Sequence, residues 1–131
     1  MKLRIRGNSI RLRLGQSEVD HLVKDGRVSA SIRFSSFPKE QLAYSVVTSL
    51  AEKEITARLA DGEIKVTVPQ GLAQGWASSA QVGLKQVQPI DGDVSLAILI
   101  EKDFRALEPR PDEDQTDSFT NPNQGKHCNH P

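Results

Sequence analysis

Three groups of side chains in this sequence have the residue types to do chemistry. The first is an arginine row. Arg4 and Arg6 alternate with Leu3 and Ile5, and Arg11 and Arg13 alternate with Ile10, Leu12 and Leu14. Alternate residues of an extended chain share a face, so a hairpin here carries four guanidiniums on one side, with Arg33 a candidate fifth. Planar, multi-donor cations in a row suit phosphate, polyphosphate or carboxylate groups. The competing reading is a charged outer face that keeps the sheet soluble and guards its edge. No aromatic residue interleaves the row, which argues against a stacking platform for single strands. Nucleic acid is therefore not the expected partner.

The second group is His127, Cys128 and His130, which with Asp117 offers donors for a divalent transition metal. The spacing is poor: His127 and Cys128 are neighbours, and no Cys-x-x-Cys pair exists. A chain terminus that happens to contain these residues reads equally well. The third group is Glu101 and Asp103, two apart with Lys102 between them. On a continuing strand both carboxylates share one face and could do acid–base work or hold a hard cation. The alternative is a solvated strand end. His21 reads as a helix-surface residue rather than a general base. No phosphate-binding glycine loop, Gly-x-Ser-x-Gly elbow or zinc-protease signature occurs.

These groups must be held by short elements. Gly7-Asn8 separates two alternating runs of opposite parity, which a tight turn resolves. Ser17 to Lys24 predicts a short helix capped by Ser17, with Val19, Leu22 and Val23 as its apolar stripe and Gly26 as its stop. Val28–Phe34 and Leu42–Thr48 alternate as strands. Residues 54–68 form a hairpin around Asp61-Gly62. Leu72, Ala73, Trp76 and Ala77 have helical spacing, with Trp76 expected to cap an edge of the core. A strand from Val82 is expected to stop at Pro89. Val94–Ile100 reads as a central strand buried on both faces. No internal repeat is evident. The expected fold is mainly β: a small antiparallel barrel, a sandwich or an α+β roll, with two short helices.

From Glu108 the texture changes to proline, acid, Asn and Gln. Residues 1–107 therefore read as one β-rich domain, and 108–131 as an acidic, Pro-containing tail, either disordered or an ordered arm. The formal charge is zero, from 17 basic and 17 acidic residues, but it is unevenly placed. Residues 1–40 carry nine basic against four acidic side chains, whereas 108–117 carry five acids against Arg110 alone. A single cysteine excludes an intrachain disulfide and suits a reducing compartment. With no leader-like or membrane-length apolar run, the expected location is the cytoplasm.

The opening Met1-Lys2-Leu3-Arg4-Ile5-Arg6-Gly7-Asn8-Ser9-Ile10-Arg11 resembles the start of a family of small bacterial proteins whose function is unassigned. Gln81-Val82-Gly83, Glu101-Lys102-Asp103-Phe104 and the stretch into Phe119-Thr120-Asn121-Pro122 are similar to later parts of that family. Its members have proline where this chain has Thr120. The resemblance spans nearly the whole chain and implies a free-standing bacterial protein, with no activity, cofactor or catalytic residue attached.

Three functions compete. The first is a non-enzymatic binding or accessory protein that takes an anionic small molecule or an acidic protein on Arg4, Arg6, Arg11, Arg13 and Arg33. The second is a small metal-dependent enzyme or metal carrier using the His/Cys group and carboxylates. The third is a structural or assembly protein, dimerising through strand edges.

Overall fold

The computed structural model describes residues 1–104. Eight strands and two helices follow one another as β1 (Lys2–Arg6), β2 (Ser9–Leu14), α1 (Gln16–Asp25), β3 (Arg27–Arg33), β4 (Gln41–Ser49), β5 (Thr56–Ala60), β6 (Glu63–Pro69), α2 (Gln70–Ala77), β7 (Gly83–Asp91) and β8 (Val94–Lys102). They build two four-stranded sheets, ordered β1-β2-β8-β7 and β3-β4-β6-β5. Consecutive strands pair as antiparallel hairpins. Each sheet joins two hairpins through a central parallel pair, β2 with β8 and β4 with β6. The β-rich, two-helix architecture follows the sequence pattern. The sheets are mixed rather than wholly antiparallel, because the central pairs join strands far apart in sequence.

The two halves of the chain repeat one another, a relation the sequence pattern had concealed. Each half runs strand, strand, helix, strand, strand. The first hairpin of one half completes its sheet with the last hairpin of the other. A shift of 54 residues carries Leu12 to Val66 and Val46 to Ile100, and these residues are neighbours in the two parallel registers. The same shift carries Gly7 (φ 55°) to Asp61 (φ 52°). It also exchanges two hydrogen bonds, from Ala97 N–H to the Asn8 carbonyl and from Ala43 N–H to the Gly62 carbonyl. In the helices it carries Val19 to Ala73 and Leu22 to Trp76, all four of them buried.

The inward-facing residues of both sheets form one core. Leu12, Leu14, Val46, Val66, Val68, Ile98 and Ile100 are almost wholly buried, and the two helices add Val19, Leu22, Ala73 and Trp76. Trp76 lies inside the core rather than at its edge, because its indole N–H donates to the Val82 carbonyl at 3.0 Å. That bond satisfies the one polar group such a burial would otherwise strand. The edge strands β5 and β7 belong to different sheets, and Gln88 joins them. Its amide accepts from Ala57 N–H at 2.8 Å and donates to the Ala57 carbonyl at 3.0 Å, imitating a strand partner.

Local chemistry explains most element boundaries. Helix α1 is capped at Gly15 rather than Ser17, and the Glu18 carboxylate accepts the Gly15 N–H at 2.9 Å. It stops at Gly26, whose φ of 82° is left-handed. Strand β7 does not stop at Pro89 but runs through it to Asp91, with an irregular register there. Proline is tolerated because β7 is an edge strand. Strand β8 is central but alternates: Ile98 and Ile100 face the core, while Ala97 and Leu99 face outward with Ala97 exposed. It is buried on one face, not both. Among the described residues no helix is long and apolar enough to cross a membrane.

Candidate functional site

The arginine row stands on the outer face of the first sheet. Register places Lys2 beside Arg13, Arg4 beside Arg11 and Arg6 beside Ser9 across the β1–β2 hairpin. The odd-numbered neighbours on β8 are Glu101, Leu99 and Ala97. On β7, Lys85 lies beside Leu99. The core-facing set is Leu3, Ile10, Leu12 and Leu14, so the basic set points away from the core. The face thus holds Lys2, Arg4, Arg6, Arg11, Arg13 and Lys85 against Glu101, a formal charge of +5.

Lys2, Arg4, Arg11 and Arg13 line a shallow cavity of about 140 Å³. Glu101 lies at one end of it, with its Oε1 3.5 Å from both Arg11 Nε and Arg13 Nε. Asp103 meets Lys2 at 3.1 Å. Arg4, Arg6 and Arg13 each have an interaction partner. Cations set directly opposite one another on a sheet destabilise it. Arg4 faces Arg11 in that way.

Glu101 and Asp103 do not act as a carboxylate pair. Strand β8 ends at Lys102, and each acid serves different cations. Lys102 is itself engaged: its ammonium donates to the Ser79 carbonyl at 2.6 Å and sits 5.9 Å from the centre of the Trp76 ring. A larger cleft of about 650 Å³ lies between α1, the end of α2 and Phe104, and its charged residues are Lys102 and Asp103. Both are committed to the contacts just given, so among the described residues no acid–base pair converges there.

Arg33 is not brought into the row. It ends β3, an edge strand of the second sheet, beside Gln41. That sheet's outer face also carries Arg27, Arg58 and Lys65, but they are spread over three strands among serines and threonines. Its acid, Glu63, is held by the Ser45 hydroxyl at 2.7 Å and Arg27 Nη2 at 2.7 Å. The Ser45 hydrogen bond, and Arg27 after it, hold the Glu63 carboxyl below the usual range despite an opposing effect of burial. His21 is a helix-surface residue, with Nδ1 2.9 Å from Asp25.

Sequence reasoning missed the two contacts that the fold gives Glu18. Besides Gly15 N–H, its carboxylate takes the Met1 ammonium. Burial would raise its pKa, but the ammonium and the Gly15 hydrogen bond outweigh that and lower it. Sequence reasoning also missed Lys85, which only the β7–β8 register brings to the basic face. The metal-ligand candidates His127, Cys128, His130 and Asp117 lie outside the described residues. Among the described residues no cluster of His, Cys, Asp and Glu could hold a metal ion.

The model of a family of unknown function (DUF7009) matches residues 1–123. No curated protein and no solved structure matches the chain.

Proposed function

We propose that this chain, which belongs to the DUF7009 family, is a non-enzymatic binding or accessory protein that takes an anionic partner on the outer face of β1 and β2. The observation that carries the reading is a cavity whose lining, among the described residues, is Lys2, Arg4, Arg11 and Arg13. Such a surface costs folding stability, since like charges sit opposite one another, and an incoming anion offsets that cost. Guanidiniums supply directional pairs of donors, and Lys2 supplies a point charge. Glu101 holds Arg11 and Arg13 at one end of the row.

Calorimetric titration with inorganic tripolyphosphate tests this reading. A charge-assisted contact contributes about 1.5–3 kcal/mol, so Arg4→Ser combined with Arg11→Ser should weaken binding by at least about tenfold. Binding should also weaken as salt rises, as it does when counterions are released from a polyanion. Equal binding by the double variant and the unaltered protein would refute the assignment.

A further inference from the structure

We propose that β1 takes an extended acidic segment of a partner protein along its outer edge, as a fifth strand of the first sheet. This inference rests on the reading of the β1–β2 face as an anion-binding surface, and it names the class of anion: carboxylates carried on a peptide backbone.

The first observation is the edge itself. Strand β1 ends its sheet, and among the described residues its strand partner is β2 alone. None of its five residues is buried, and Ile5 is 60% exposed. The repeat of the two halves shows which backbone groups face outward. The shift of 54 residues carries the pair Leu3–Leu12 to Ala57–Val66. On β5, the N–H and C=O of Ala57 bond the Gln88 amide and so point away from β6. Leu3 holds the same place in its ladder, so its N–H and C=O point away from β2. Those of Ile5 do likewise, because the orientation recurs at alternate residues. The brace is not repeated. Gln88 stands opposite Leu96, and the shift returns Leu96 to Leu42, whose partner is Ile32. An aliphatic side chain neither donates nor accepts. Among the described residues nothing hydrogen-bonds the outward groups of Leu3 and Ile5. Backbone donors and acceptors in such a row are a template for another strand.

The second observation is charge in register with that edge. Lys2, Arg4 and Arg6 alternate with Leu3 and Ile5, so they stand about 6.8 Å apart along the outer face. Acids at every second position of an extended peptide repeat at the same interval. In an antiparallel fifth strand bonded to Leu3 and Ile5, the residues opposite Lys2, Arg4 and Arg6 fall in non-hydrogen-bonded pairs, where side chains approach most closely. Three carboxylates then meet three cations, and the apolar residues between them lie beside Leu3 and Ile5. A second copy of β1 would set cation against cation, which destabilises a sheet. A nucleic acid has no backbone amides to offer the edge. The counterpart edge, β5, carries Arg58 as its one cation and is braced by Gln88, so it is passed over.

The test titrates a capped peptide, (Glu-Val)3-Glu, and the same peptide N-methylated at its valines. The two carry equal charge, but the second cannot donate to β1. Calorimetry at low salt gives the affinities, and amide hydrogen exchange locates the peptide. Strand addition predicts that the unmethylated peptide binds at least about tenfold tighter. It also predicts slowed exchange at Leu3 and Ile5 and no change at Ala57. Ile5→Pro removes one outward N–H without altering charge, and proline is tolerated at a sheet edge. It should weaken the unmethylated peptide at least about fivefold and leave tripolyphosphate affinity unchanged. If tripolyphosphate binds, but the two peptides bind equally or not at all and Leu3 and Ile5 exchange as before, strand addition fails and the anion-binding reading survives. If neither tripolyphosphate nor either peptide binds, both fail. A peptide-free dimer in sedimentation that Ile5→Pro splits would give the edge to a second copy and overturn the proposal.

Discussion

Glu18 shows how one side chain can join two ends of a fold. It caps α1 through Gly15 N–H and pairs with the Met1 ammonium. Its carboxyl is held below the ordinary value near 4.5 in the folded protein. A lowered folded pKa contributes stability above the unfolded value, and that contribution is lost as pH falls through the folded one. Stability should therefore drop as pH is taken below about 4.5, and Glu18→Gln should flatten that part of the profile while lowering stability at neutral pH. Urea unfolding across pH 3–7 checks this. Glu101 makes the opposite prediction for binding. Among the described residues it is the acid that contacts Arg11 and Arg13. Glu101→Gln should tighten tripolyphosphate binding about fivefold, equivalent to roughly 1 kcal/mol for a unit charge at close range in water. At this scale the arginines of the hairpin were legible, because alternation alone places them on one face. The Glu18–Met1 pair was not, because the two residues are seventeen apart in sequence.

At the scale of elements, turn and cap chemistry marked the boundaries well. Asp61-Gly62 and Gly26 sit at the positive φ angles their sequence contexts imply. Gly26 also lies under Thr48, whose Oγ1 would be 3.3 Å from an added Cβ. Gly26→Ala should cost about 1–2 kcal/mol, from left-handed backbone strain in a residue with a Cβ, measured as a shift in the urea midpoint. Gln88→Leu should cost a further about 1–3 kcal/mol, because Ala57 N–H and C=O lose their partner. Pro89 and the β8 run were misread for a common reason. Whether proline ends a strand, and whether an apolar strand is covered twice, depend on its neighbours in the sheet. Those neighbours are set by the parallel β2–β8 pairing across most of the chain.

The whole molecule is an exchange of hairpins between two similar halves. Neither half completes a four-stranded sheet alone. Unfolding should therefore be a single cooperative transition, with Trp76 fluorescence and far-ultraviolet circular dichroism coinciding across a urea titration. Separate transitions would mean that the halves are independent. The repeat was hard to see in sequence because its members share character rather than identity: Leu12 answers to Val66, Leu22 to Trp76, Arg11 to Lys65. The halves have diverged on their outer faces. One gathers six cations on its outer face, four of them lining a cavity, while the other buries Ser45 beneath an Arg27–Glu63 pair. That asymmetry makes the second sheet an internal control for the first.

The most direct test of the anion-binding face is to map tripolyphosphate onto the protein by backbone amide chemical shifts. Perturbations should centre on Lys2–Arg6 and Ser9–Leu14 and extend to Lys85, leaving Arg27, Arg33, Arg58 and Lys65 unmoved. Perturbations centred on the second sheet or on the cleft beside Phe104, or none at all, would contradict the assignment.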